Sequence, residues 1–195
     1  NVLSGRLQAN NADLEDSSTA GTIYFAEAQI LSGTEPPIGP GDDYTNFSRN
    51  NGASYHPACV SYDSGLARWV LGFAGNGTVH EQPGIRAWRD FDPTVVETDV
   101  QVPDDGFLIL AAKAEDLGAG VWQYEYALQN LNSARAVASL AVPFAPGAVL
   151  QDIGFHDVDY HSGEPYDGTD WPATILAFPS SRVRWEVPSA TPPAE

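Results

Sequence analysis

The sequence predicts an all-β protein, an antiparallel two-sheet β-sandwich of jelly-roll or Greek-key type, and three observations carry that expectation. Residues 121–130 read Val-Trp-Gln-Tyr-Glu-Tyr-Ala-Leu-Gln-Asn, so on a strand Trp122, Tyr124, Tyr126 and Leu128 share one face and Gln123, Glu125, Ala127 and Gln129 the other. Three rings and a leucine in one row, each worth about 1.5–3 kcal/mol when buried, require a facing layer, and a second sheet supplies it. Short apolar runs bounded by Gly, Pro, Asn and Asp then recur along the chain without a fixed-period repeat.

The elements follow in order. Residues 2–8 read as an opening strand and residues 10–18 as a loop or one helical turn. In residues 21–31, Ile23, Phe25 and Ile30 are spaced for a strand. Thr34-Glu-Pro-Pro-Ile-Gly-Pro-Gly41 stops it, because proline lacks a ladder donor and glycine favours turns. The polar stretch up to Gly52, with Asp42, Asp43, Asn46, Asn50 and Asn51, is a long loop, a feature either functional or poorly ordered. Residues 55–62 and 66–74 are strands, the second alternating Trp69, Leu71 and Phe73. Gly75-Asn76-Gly77 turns the chain into a hairpin with residues 78–80.

Residues 85–88 and 95–102 continue the strand series on either side of Asp92-Pro93, and Pro103-Asp-Asp-Gly106 turns again. Residues 107–114 form a nearly continuous apolar, central strand, joined through Leu117-Gly-Ala-Gly120 to the aromatic strand. Residues 134–142 carry alanines behind a cap at Asn132 or Ser133, which allows a helix; the strands around them favour β. A strand at 149–156 and a hairpin of 174–178 with 182–187 complete the set.

The 195 residues suit one sandwich domain at 1–187, followed by a Pro-rich tail or linker at 188–195. Lysine and arginine total 9 against 26 acidic residues, a net charge of −17, so nucleic acid is repelled and is not a partner. No apolar run approaches the ~20 residues of a membrane span. Few lysines, no methionine and many small polar residues favour export. Cys59 is the lone cysteine; it forms no intrachain disulfide, has no basic neighbour in sequence and reads as a small buried hydrophobe.

Trp122-Gln-Tyr-Glu-Tyr-Ala-Leu-Gln-Asn-Leu-Asn-Ser133, Pro146-Gly-Ala-Val149, Gly154-Phe-His156 and Glu164-Pro-Tyr-Asp167, continuing to Trp171, resemble segments of a group of uncharacterised secreted bacterial proteins. The resemblance spans residues 104–187. It implies a secreted or cell-surface β-rich domain with no known activity, so it transfers no catalytic residue. Related chains continue past the region of Trp185 into another β-like stretch, whereas this sequence stops at Glu195. The expectation is an open sheet edge, or an edge filled by a copy of the chain.

The richest polar cluster lies at 152–170. On a strand Asp157, Asp159 and His161 share a face, so two carboxylates and an imidazole converge as candidate ligands for a divalent cation, calcium above all. An EF-hand is excluded: counted from Asp157, the sixth position is Ser162 in place of glycine and the twelfth is Gly168 in place of glutamate. The competing reading has these groups capping turns and facing water. His56, His80 and His156 read as ring nitrogens bonded to backbone, with His156 in the core, and no zincin pair is present.

Most rings belong in the core at strand spacing. Trp88, beside Arg86 and Arg89, and Trp171, in a polar loop with Asp167 and Asp170, are the two candidate platforms for a glycan. Asn46-Phe-Ser and Asn76-Gly-Thr are glycosylation sequons. The nucleophile elbow, Walker loop and dinucleotide fingerprint are missing, and among 26 acidic residues chance carboxylate pairs are certain. These observations favour a non-catalytic extracellular structural or adhesive protein that assembles with copies of itself through edge or terminal strands. A carbohydrate-binding module is the alternative, and a polysaccharide-active enzyme using Asp157, Asp159 and His161 is the third reading. No organic cofactor is expected.

Overall fold

A computed structural model describes residues 11, 14–17, 21–29, 53–73, 75, 77–103, 105–133, 135–156, 169–176 and 181–188. The expected opening strand at 2–8, the polar loop up to Gly52 and the acidic segment 157–168 lie outside them. The described residues are mostly β, with one short helix and single helical positions at Asn11 and Ser17, and they fall into two compact units, one within Leu14–Ala136 and one that joins Asn11 to residues within Val137–Glu195.

The first unit holds two antiparallel sheets. One pairs β1 (Tyr24–Gln29), β2 (Ala53–Asp63) and β3 (Arg68–Phe73) in that order; the other pairs β4 (Val96–Gln101), β5 (Phe107–Gly118) and β6 (Val121–Asn130). Asp63 shapes the β2–β3 turn by accepting the amides of Gly65 and Leu66 through Oδ1 at 2.9 and 3.1 Å. Ala119 and Gly120 both take positive φ, 52° and 79°, in the β5–β6 turn, as the right-handed twist of a tight hairpin requires. The strand expected at 78–80 reduces to a single bridge, in which Val79 and Tyr55 exchange backbone hydrogen bonds of 2.9 and 3.2 Å.

Residues 85–88, expected as a strand, instead lead into and open helix α1 (Arg86–Phe91). Pro83 and Gly84 start the turn, their carbonyls accepting the amides of Arg86 and Ala87 at 3.0 Å. Over so few residues the alternation of Ile85 and Ala87 fits a strand and a helical turn equally. Helical spacing buries Ala87 completely and sets Arg86 and Arg89 three residues apart on one side. Buried Tyr55 donates its hydroxyl to Asp90 of α1 at 2.6 Å. Burial, reinforced by that bond to a carboxylate, pushes its pKa up to about 12.

Asp92 caps the C-terminus of α1 and ties it to β5. Its Oδ1 accepts the amide and hydroxyl of Thr94 at 3.0 and 2.6 Å, and its Oδ2 lies 2.9 Å from Lys113 Nζ. The Thr94 hydroxyl bond and then Lys113 bring its pKa from the ordinary 3.8 to about 2. A depressed carboxylate stabilises the fold above its unfolded pKa and stops doing so as pH falls through the folded value. The urea midpoint is therefore expected to drop between about pH 4 and pH 2. In Asp92→Asn that component of the drop disappears, which parallel titrations of the two proteins will check.

The core sits at the base of β5. Phe107 and Ile109 pack with Ala53 of β2 and Leu131 beyond β6, and Ile85 packs against them. Two polar clasps link the sheets beside this cluster: Gln29 Nε2 donates to the Leu131 carbonyl at 2.9 Å, and Gln129 Nε2 to Glu27 Oε2 at 3.0 Å.

This placement corrects the expectation for the aromatic row. Leu110 pairs with Leu128, Ala112 with Tyr126, Ala114 with Tyr124 and Asp116 with Trp122. Directly paired residues share a face, so the row lies with the outward residues of β5, opposite Phe107, Ile109 and Ala111. Trp122 and Tyr124 are 52% and 58% exposed. Beyond Lys113 the ribbon leaves the body: every residue from 114 to 125 is exposed on both faces.

The second unit holds β7 (Ser139–Pro143), β8 (Ala173–Leu176) and β9 (Arg182–Glu186), with β9 central and antiparallel to both. The 134–142 region thus resolves as a strand shifted toward Pro143. Val183 on β9 is buried. The strand expected at 149–156 is irregular backbone, with Asp152 at φ 51° and Val149 84% exposed. Among the described residues no strand pairs with it, and an extended segment without a partner gains no ladder bonds. Among the described residues, no helix is long and apolar enough to cross a membrane.

Candidate functional site

The first unit contains an open cleft of about 450 Å³. It is lined by His80, Glu81 and Gln82, which lie between the Val79 bridge and Pro83, by Arg86 and Arg89 of α1, by Asp99 of β4 and by Phe107, its apolar element. Glu81 takes φ 61°, a conformation that costs a non-glycine residue and that clusters at ligand clamps.

A shared carboxylate organises the arginines. Glu97 Oε2 lies 2.7 Å from Arg86 Nη1 and 2.9 Å from Arg89 Nη1, and Arg86 Nη2 reaches Asp99 Oδ1 at 2.8 Å. The Glu97 side chain is 2% exposed and that of Arg86 14%, whereas Arg89 keeps 44%. Burial alone would lower the Arg86 pKa; the bonds to Glu97 and Asp99 outweigh it and raise it. Arg86 is thus spent on structure, while Arg89 turns one amine to Glu97 and leaves the rest of its fork toward solvent. Glu97 Oε1 and Gln82 Oε1 are both buried with no hydrogen-bond partner among the described residues.

Elsewhere His56 Nδ1 lies 2.8 Å from Thr78 Oγ1, a separation that suits a base and a hydroxyl nucleophile. Its Nε2 is buried without a partner among the described residues, so no third group orients the ring as a triad would. The ring instead meets Phe73 edge-on at 5.2 Å, a packing arrangement.

The sequence-derived candidates separate. Asp157, Asp159, His161 and Asp167 lie outside the described residues. Asp170 is exposed. Trp171 is half-buried and stacks on Phe155, with ring centroids 4.8 Å apart and planes at 12°, so one ring face is already covered. Trp88 is half-buried on α1 between the two cleft arginines and does not line the cleft. His156, expected in the core, is exposed on irregular backbone, and His80 is exposed at the cleft. Cys59, expected to be buried, is exposed because Ala58 and Val60 take the inward positions beside it on β2. Among the described residues no group of three or more His, Cys, Asp or Glu is placed to hold a metal ion.

The outer face of the β4–β5–β6 sheet is the second feature. Val96 and Val100 of β4, Leu108, Leu110 and Ala112 of β5, and Tyr124, Tyr126 and Leu128 of β6 share it through their register. Val96 is 66% exposed. The only charge on this face of the three strands is Asp116, at the far end of the ribbon. Compared with known protein families, curated proteins and solved structures, the chain matches none.

Proposed function

We propose that this is a non-catalytic, extracellular β-protein of structural or adhesive role that assembles with copies of itself through the outer face of β4–β5–β6. The observation that carries the reading is the exposure of Trp122, Tyr124, Val96 and Val100 on one nearly uncharged sheet face. At about 3.3 Å per residue and 4.8 Å between strands the ribbon is about 40 Å long and the sheet about 14 Å wide. That gives on the order of 500 Å² in plan. Side-chain relief brings this toward the ~800 Å² that each partner contributes to a standard interface.

Charge favours a second copy at this face above any other. The chain carries −17, so copies repel over most of their surface, and a face cleared of charge is where they can approach. Two such faces stacked about 10 Å apart complete a two-sheet sandwich between copies, giving the aromatic row the second layer its composition calls for. Secretion or display at the cell surface fits the acidic, lysine-poor composition. A calcium ion held by Asp157, Asp159 and His161 belongs to the same reading as a further support for assembly.

Sedimentation velocity over a concentration series, with and without calcium, tests this. Dimers or larger species are expected, and added salt should strengthen them by screening the like charges. Trp122→Ser with Tyr124→Ser should return the protein to monomer with its fold intact. A wild-type chain that stays monomeric at high concentration, whether or not calcium is present, rejects the proposal.

A further inference from the structure

We propose that the cleft between residues 80–82 and α1 binds a neutral sugar, through adjacent hydroxyl groups held between Arg89 and the acceptors Gln82 Oε1 and Asp99. This goes beyond the assembly reading and stands independently of it, because the cleft opens on the face of β4 opposite the apolar one.

The argument begins with what the cleft leaves unsatisfied. Gln82 Oε1 is a buried acceptor with no partner among the described residues, as is Glu97 Oε1 behind the arginines. Such atoms cost on the order of 1–3 kcal/mol each when left unpaired, so they mark where a donor is wanted. Asp99 commits Oδ1 to Arg86 and keeps its second oxygen. On the donor side Arg89 uses one amine on Glu97 and retains the others. A cleft lined by residues that hold both unmet acceptors and unmet donors suits a ligand whose groups are both at once. A hydroxyl is that group, one O–H donor and two lone pairs. Two on neighbouring carbons can accept from the guanidinium while donating to the carboxylate and the amide oxygen.

Charge narrows the class further. Arg86, Arg89, Glu81 and Asp99 line the cleft and the Glu97 carboxylate is bonded to both arginines, which leaves about one negative charge among them. An anion meets three carboxylates and the field of a −17 chain. A metal cation meets two guanidinium groups. A neutral polyol meets neither penalty. The volume of about 450 Å³ lies in the range of small-molecule sites and admits the end of an oligosaccharide. Because the cleft is open and largely polar, weak binding with fast exchange is expected.

The test is a titration of the full chain with neutral oligosaccharides built on glucose, galactose, mannose and xylose, with methyl glucuronide as the acidic control. Binding is read by isothermal calorimetry and by amide chemical shifts. At least one neutral sugar should bind saturably, with shift changes on His80, Gln82 and Arg89. Arg89→Gln and Asp99→Asn should each weaken it about 10-fold or more, the loss of one hydrogen bond to a charged group. Both replacements are at exposed positions, and unchanged unfolding midpoints will show that the fold is kept. The proposal is overturned if no neutral sugar in the panel binds, if the glucuronide binds more tightly than every neutral sugar, or if the shifts map away from the cleft. Should a variant lose its fold, the shift map on the wild-type chain decides alone.

Discussion

Replacing Glu97 with alanine is expected to destabilise the fold by about 3–5 kcal/mol, the cost of removing one partner from a buried ion pair. The Glu97 carboxylate is almost fully enclosed and serves two guanidinium groups at 2.7 and 2.9 Å. Without it, Arg86 remains largely enclosed with Asp99 as its one carboxylate partner, and the tie between α1 and β4 is left to that single, more exposed pair. Arg89, 44% exposed, regains water and contributes little. The effect therefore belongs near the lower end of the range. Asp99→Asn breaks only the outer contact, to a carboxylate that is 42% exposed, so it should cost about 0–1 kcal/mol. Urea unfolding followed by tryptophan fluorescence measures both. If Glu97→Ala and Asp99→Asn prove equally mild, Glu97 does not organise the helix and the cleft.

Much of the strand pattern was legible because alternation and turn residues act locally. Strand β6 occupies the expected residues 121–130, and β4 and β9 fall within a residue of expectation at each end. The Leu117-Gly-Ala-Gly120 hairpin forms where the glycines allow positive φ. What alternation does not contain is the choice between two faces that are both apolar. On β5, Phe107, Ile109 and Ala111 alternate with Leu108, Leu110 and Ala112, and either set satisfies a core. The choice falls to whichever face meets Ala53, Leu131 and Ile85. Cross-strand register then passes that choice to β6, sending its aromatic row outward. The 85–88 segment failed for a related reason, since a few residues do not distinguish period 2 from period 3.6 and the Pro83-Gly84 turn decided.

The cleft was less legible still. Its residues come from an irregular segment, a helix and a strand, joined by ion pairs spanning 11 and 13 positions. A signal did exist. Arg86 and Arg89 are spaced for one side of a helix, and Glu97 and Asp99 for one face of a strand. It becomes readable only once 86–91 is helical, because on a strand the two arginines would point to opposite faces. Trp88, expected as a platform, stands between these two arginines, and it is they that line the cleft.

Phe107→Ala is expected to cost about 3–5 kcal/mol, the usual loss for an enclosed aromatic ring, whereas Tyr124→Ser in the monomer should stay within about 0.5 kcal/mol of wild type. Phe107 is 1% exposed and packs with Ile109, Ala53 and Leu131 in a buried cluster to which both sheets of the first unit contribute. Truncating it leaves a cavity bounded by two sheets and the approach to α1, and backbone hydrogen bonds on every side limit how far the site can collapse. Against a typical domain stability of about 5–15 kcal/mol, that loss is a large share of the total. Tyr124 sits on the ribbon beyond the body, 58% exposed, where a smaller side chain gives up little contact. The contrast separates two accounts of the same hairpin, one in which its base holds the fold and one in which its rings do. Urea midpoints at low protein concentration, where self-association is negligible, measure the fold alone. A Tyr124→Ser cost as large as that of Phe107→Ala would mean that the rings are covered within a single chain, and the outward face would lose its role in assembly.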